Sequence, residues 1–212
     1  MRSMKLWGGV CLILILFLLP RTAGAAERVP LRIARLPVQV QSNTADDEAV
    51  NRLEIRLDQI MHVPLNGTLQ AVKEIPGAQV EAALDEVLAQ LRQTNQRVRL
   101  QDAMKPLADK LQADLVVCPV LKSYEQWTRM SWNWERTQLL HSYVALDISG
   151  YDRSRDETFH QSGSRYFDDE YSSAGLAANL SLECLDELSA STDLRNRVNV
   201  WRKRQLKSWH GI

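Results

Sequence analysis

Residues 113–127 read "ADLVVCPVLKSYEQW", and the run from Leu115 to Leu121 inside them decides the fold. Its side chains are apolar at odd and even positions alike. A strand sends successive side chains to opposite faces, so a run with no polar face belongs in the middle of a sheet covered on both sides. Just beyond that run the chain changes character and becomes polar and aromatic.

Downstream, "LLHSYVALDISGYD" (139–152) alternates, with Val144, Leu146 and Ile148 on one face and Tyr143, Asp147 and Tyr151 on the other. "RSRDE" is a polar turn, and "TFHQSGSRYF" (158–167) returns as a more polar strand nearer an edge, making a hairpin. In "AGLAANLSLECLDELSA" (174–190), Leu176, Leu180, Cys184, Leu185 and Leu188 share one helical face. Upstream, "LRIARLPVQV" (31–40) reads as a strand whose Pro37, lacking an amide donor, belongs at a strand end or edge. "SNTADDEA" then offers helix caps, and Val50, Leu53, Leu57, Ile60 and Met61 follow at helical spacing up to a stop before Pro64. A short strand-like run from Leu69 to Ile75 precedes two helices over 78–93 and 99–112, with Pro106 near the first turn or at a kink of the second. The order is β-α-β-α-α-β-β-β-α. The expected fold is α/β (α+β): a mixed sheet of about five strands with helices packed on it and a C-terminal antiparallel meander.

The beginning of the chain is read as a targeting segment. Arg2 and Lys5 precede the apolar run "VCLILILFLL", and Ala23-Gly24-Ala25 supplies a small-x-small cleavage pattern. Residues 1–25 are therefore expected to be a secretory signal peptide, the run being shorter than the roughly 20 residues of a spanning helix. Residues 26–194 are expected to form a single α/β domain, and 195–212 a basic tail. Losing Arg2, Lys5 and Arg21 turns a balance of 26 basic and 26 acidic residues into a net charge of −3, which argues against nucleic acid as a partner. Cys118 and Cys184 would survive cleavage. Apolar neighbours surround both, which favours two buried thiols over a bridge, although export would permit one.

The strand "IARLPV", the stretch "ADLVVCPVLKSY", the long strand "YVALDISGYD", a polar returning strand and a closing helix come in an order with a counterpart. It resembles the α/β domain shared by the curli-secretion lipoprotein CsgG, the N-terminal domain of TolB and the LpoB-type activators of cell-wall synthases. The resemblance covers most of residues 31–190. It implies an exported envelope protein, periplasmic or at the cell surface, that works through contacts or assembly and not through catalysis. Two departures stand out. No cysteine lies at the cleavage site for acylation, and "FHQSGSRYFDDEY" lacks the apolar alternation that a lipid-facing strand of a pore requires.

The residues themselves offer no catalytic motif. His62, His141, His160 and His210 form no HExxH or HxH pair, and no G-x-S-x-G, P-loop or dinucleotide fingerprint occurs. No metal site and no cofactor is expected. The acids of "FDDEY" (167–171) read as a solvated turn that opens the last helix. A hydrolase with a scattered triad stays open as a rival, and it would need His141 or His160 facing a carboxylate in a cleft.

The candidate site is the segment after the central strand. Tyr124, Trp127, Arg129, Met130, Trp132, Trp134 and Arg136 crowd together, and these residue types are enriched where interfaces concentrate their energy. They could equally cap the sheet edge as core. With strand geometry continued, Trp132 and Trp134 share one face and Trp127 takes the other. The tail carries Arg202, Lys203, Arg204 and Lys207 between Trp201 and Trp209, which suits an anionic surface or a solvated terminus. The expected partner is an envelope protein or a cell-wall polymer. Peripheral membrane contact, self-association and a CsgG-like secretion accessory are further options.

Overall fold

The computed structural model describes residues 30–62, 72–94, 97–132 and 138–199. The expected signal peptide, Trp134, Arg136 and the tail cations Arg202, Lys203, Arg204 and Lys207 lie outside the described residues. In chain order the elements are β1 (Leu31–Arg35), β2 (Gln39–Val40), α1 (Asp47–Met61), β3 (Val72–Glu74), α2 (Gly77–Thr94), α3 (Leu100–Leu111), β4 (Leu115–Met130), β5 (Gln138–Asp152), β6 (Glu157–Glu170) and α4 (Ala177–Ser191). A short 3-10 turn, Ser173–Gly175, leads into α4.

The strands make one six-stranded mixed sheet in the order β3-β1-β4-β5-β6, with β2 also beside β4. The stretch 31–40 is thus two strands and not one. Pro37 separates β1 from β2, and both run parallel to β4. From β4 onward the sheet is an antiparallel meander. Asp46 caps α1 by accepting the Ala49 amide at 2.7 Å, and Asp47 and Glu48 fill the first turn, where the helix dipole favours acids. Pro106 lies inside α3, past the first turn.

The run 115–121 sits in the middle as its composition requires. Leu115, Val117 and Leu121 meet Leu53 and Leu57 of α1 and Cys184, Leu185 and Leu188 of α4. Val116, Cys118 and Val120 meet Val80 and Val87 of α2 and Met104 and Leu107 of α3. Burial of each such leucine is worth about 2 kcal/mol relative to exposure. Cys118 and Cys184 lie in different layers, on opposite faces of the sheet, and both are buried free thiols. Burial pushes the Cys118 thiol up to about 12, and burial is also the first cause raising Cys184.

Two details bear on the site. The β4–β5 register slips between Leu121 and Ser123, a bulge that leaves Lys122 as the extra residue. After it, Tyr124 falls on the same face as Leu121 and is buried in the α1/α4 layer. The second detail is the domain's end. Residues 194–199 are helical, with Leu194 and Val198 in the core, so the domain runs past the boundary expected at 194. Arg197 is buried there, donating to Asp152 at 3.1 Å, Glu157 at 3.0 Å and the Thr192 carbonyl at 2.9 Å, with its guanidinium 4.4 Å from the Phe159 ring centre.

Three outcomes follow from this packing. Arg197→Ala should lower unfolding stability in urea by about 3 kcal/mol by taking the buried guanidinium from Asp152, leaving that carboxylate only Arg155 at 3.6 Å and the Ser154 donors, whereas the exposed Arg195→Ala leaves the midpoint unchanged. A Cβ on Gly150 would run into the Val116 carbonyl oxygen and the Phe159 ring, so Gly150→Ala should cost roughly 1–3 kcal/mol in the same assay. Neither Cys118 nor Cys184 should react with a disulfide reagent near pH 8 until denaturant is added, because both thiols stay protonated and enclosed.

Candidate functional site

Beyond the bulge, β4, β5 and β6 continue past the α2/α3 layer. One face of this extension is covered. Tyr124, Leu140, Ser142 and Val144 point toward the α1/α4 side and are buried. Gln126 Oε1 accepts the Ala177 amide at 2.8 Å and so caps α4, whose own N-cap residue, Leu176, makes no side-chain bond. Phe167 lies directly over Gly175 of the 3-10 turn. A one-sided antiparallel sheet is stable when its second face can meet water or a partner.

The second face is the open one. The register aligns three rows across the strands: Trp127, His141 and Asp168; Glu125, Tyr143 and Tyr166; Arg129, Leu139 and Glu170. The Trp127 indole stacks on the His141 ring with centroids 3.7 Å apart and 25° between planes. Tyr166 meets the other side of the cluster edge-on, at 5.0 Å and 80°. Trp127 remains 47% exposed and Tyr166 59% exposed, so these rings are presented and not sealed. Asp168 ties the group together. It accepts from the Tyr166 hydroxyl at 3.0 Å and from Arg129 at 3.5 Å, and stands 3.8 Å from His141 Nδ1. The Tyr166 phenol is held above its ordinary pKa, first by desolvation and then by its bond to the Asp168 carboxylate.

Of the segment expected from sequence, Trp127 and Arg129 lie on this face. Met130 is exposed at the end of β4, and Trp132, just past the strand, is fully exposed. Tyr124 does not belong with them: the bulge turns it into the core. The acids of 167–170 are also placed differently from expectation. They form the last part of β6 and not a turn, and Asp168 and Glu170 stand beside the aromatic rows. His141, Tyr143, Tyr166 and Asp168 were missed as site residues. The alternation of 139–152 placed Tyr143 on the face away from the Val144 core, and that was the one available signal.

The His141–Asp168 separation of 3.8 Å exceeds a hydrogen bond, and the face is flat and open to water. His160 Nδ1 lies 2.9 Å from Ser149 Oγ, but Ser149 is 1% exposed and out of a substrate's reach. Among the described residues no group of three His, Cys, Asp or Glu side chains could hold a metal ion. A groove of about 520 Å³ runs beside the rows, between Ser42–Thr44 and Lys122–Trp127, where the Thr44 hydroxyl donates to the Tyr124 carbonyl. Among the described residues no helix is long and apolar enough to cross a membrane.

No protein-family model matches the chain, and no curated protein matches it either. Solved structures do. PelC from Paraburkholderia phytofirmans, solved as a dodecamer, is 9% identical with a TM-score of 0.36, over 76% of this chain and 86% of that one. Lipoprotein GNA1162 from Neisseria meningitidis is 15% identical with a TM-score of 0.37, over 76% and 99%. The LpoB C-terminal domain from Salmonella enterica is 13% identical with a TM-score of 0.31, over 66% and 87%. LpoB-type proteins are thus both resembled in element order and among the structural neighbours, while the likeness to CsgG and TolB rests on element order alone.

Proposed function

We propose that this chain is an exported, non-enzymatic bacterial envelope protein that holds a macromolecular partner, a protein or a cell-wall component, on the open face of its meander. The observation that carries the reading is the exposed Trp127, stacked on His141 and flanked by Tyr166, on a sheet face that no helix covers among the described residues. A large aromatic side chain left half in water forgoes the gain of burial, and binding recovers it. Arg129 extends this face toward the end of β4, where Met130, on the strand's other side, and Trp132 are exposed; Trp134 and Arg136 follow in the sequence. Export rests on the signal-like residues 1–25. The cations Arg202, Lys203, Arg204 and Lys207 would add a contact with an anionic surface.

The hydrolase reading is weaker on this geometry. It needs a nucleophile beside a base in a cleft that excludes water; of the two serines bonded to His160, Ser149 is sealed inside the sheet, and Ser162, at 3.3 Å, stands exposed to water on β6.

The test is capture from isolated envelopes and co-sedimentation with purified cell wall, using the wild-type chain and the variants Trp127→Ala and Tyr166→Ala. Each substitution should weaken capture about tenfold or more, with the thermal midpoint nearly unchanged because both rings are largely exposed. Undiminished capture by both variants overturns the proposal.

A further inference from the structure

The segment "EQWTRMSWNWERTQ" (125–138) is mixed in charge when read along the chain, but the sheet sets it in other company. Pairing with β5 and β6 brings Asp168 and Glu170 beside Trp127 and Arg129, while Glu125 lies in the neighbouring row. Arg129 is engaged by Asp168 at 3.5 Å. Among the described residues Glu125 and Glu170 have no cationic partner. Among the described residues the exposed aromatic face is therefore framed by carboxylates, with Arg129 already paired to Asp168 and Lys122, at its foot, to Asp147.

Resting on the binding role proposed above, we infer that this face receives a cationic polypeptide segment of the partner, in extended form, with basic residues at alternate positions. Charge complementarity selects the sign. Lysine or arginine heads would meet the Glu125 and Glu170 carboxylates and the faces of Trp127 and Tyr166, which attract cations through their π-systems. An anionic lipid or polymer would meet repulsion at the same points. The spacing selects the form. Asp168 and Glu170 are two residues apart on one strand, as are the row positions 125, 127 and 129 on β4. That step is about 6.8 Å, the distance between same-side residues of an extended peptide. A Lys-x-Lys segment laid along β6 would place one head at Glu170 and the other at Asp168, where it would share the carboxylate with Arg129, with its stems against the rings.

The test uses the full chain and fluorescein-labelled peptides, read by anisotropy: one with alternating lysines, one with alternating glutamates. A soluble N-acetylglucosamine oligomer and phosphatidylglycerol vesicles serve as competitors. The lysine peptide should bind, and the glutamate peptide should bind about a hundredfold more weakly or not at all. Raising salt from about 0.05 to about 0.5 M should weaken the complex about tenfold or more. The triple change Glu125→Gln, Asp168→Asn, Glu170→Gln should do the same with the unfolding midpoint held, as should Trp127→Ala. Binding that prefers the glutamate peptide, is displaced by the oligosaccharide or the vesicles, or ignores both salt and the triple change overturns this inference. In those cases Trp127-dependent capture from envelopes would still stand. If Trp127→Ala affects neither the peptides nor envelope capture, both readings fall.

Discussion

The molecule depends on one ladder, the pairing of β4 with β5. It begins at Leu115 opposite Asp152 and runs to Met130 opposite Gln138. In its lower half the ladder is a conventional interior: apolar side chains leave both faces and are met by two helical layers. In its upper half only one layer follows. The hydrogen bonds of the ladder continue regardless, so the backbone stays satisfied while one face loses its cover. That mismatch between the length of the strands and the length of the helical layer creates the exposed surface. Helices α2 and α3 end their contacts near Val120, and beyond it no described helix packs on that face.

The exposed surface keeps its shape because the covered side is well tied. Gln126 caps α4, Phe167 closes on Gly175, and the Thr44 hydroxyl holds the Tyr124 carbonyl. These contacts sit directly beneath the aromatic rows and give them a rigid floor. A surface with its rings already stacked loses little conformational freedom when it binds, which favours affinity for a given area. Asp168 serves the same end from above, joining Tyr166, Arg129 and the His141 ring into one group.

Much of the architecture was legible in the sequence, for identifiable reasons. The doubly apolar run 115–121 has one physical home, a central strand, and the alternation of 139–152 shows which of its faces is buried. The helices follow from 3.6-residue periodicity, and the cap, Asp46, is one of several candidates in the stretch 42–49. Element order alone could not reveal that 31–40 splits at Pro37 or that the domain continues through Arg197, because both depend on tertiary partners. The candidate site was legible in part. Trp127, Arg129, Met130 and Trp132 stand out by residue type within a short segment. Asp168 lies 39 residues from Arg129, and only the register makes them neighbours. The acids at 168–170 read as a turn because Asp and Glu are poor strand formers, yet pairing with β5 holds them extended.

The bulge at Lys122 counts residues as odd or even. Leu121 faces the α1/α4 core, and uninterrupted alternation would have sent Trp127 to that side and Tyr124 to the open one. One extra residue reverses the assignment for everything downstream in β4. Deletion of Lys122 itself would straighten the ladder and leave Ser123 to Met130 on their present faces, whereas loss of one further residue would exchange the inner and outer surfaces of the strand's second half. Length at this spot is inherited information about recognition, written in the spacing of the backbone.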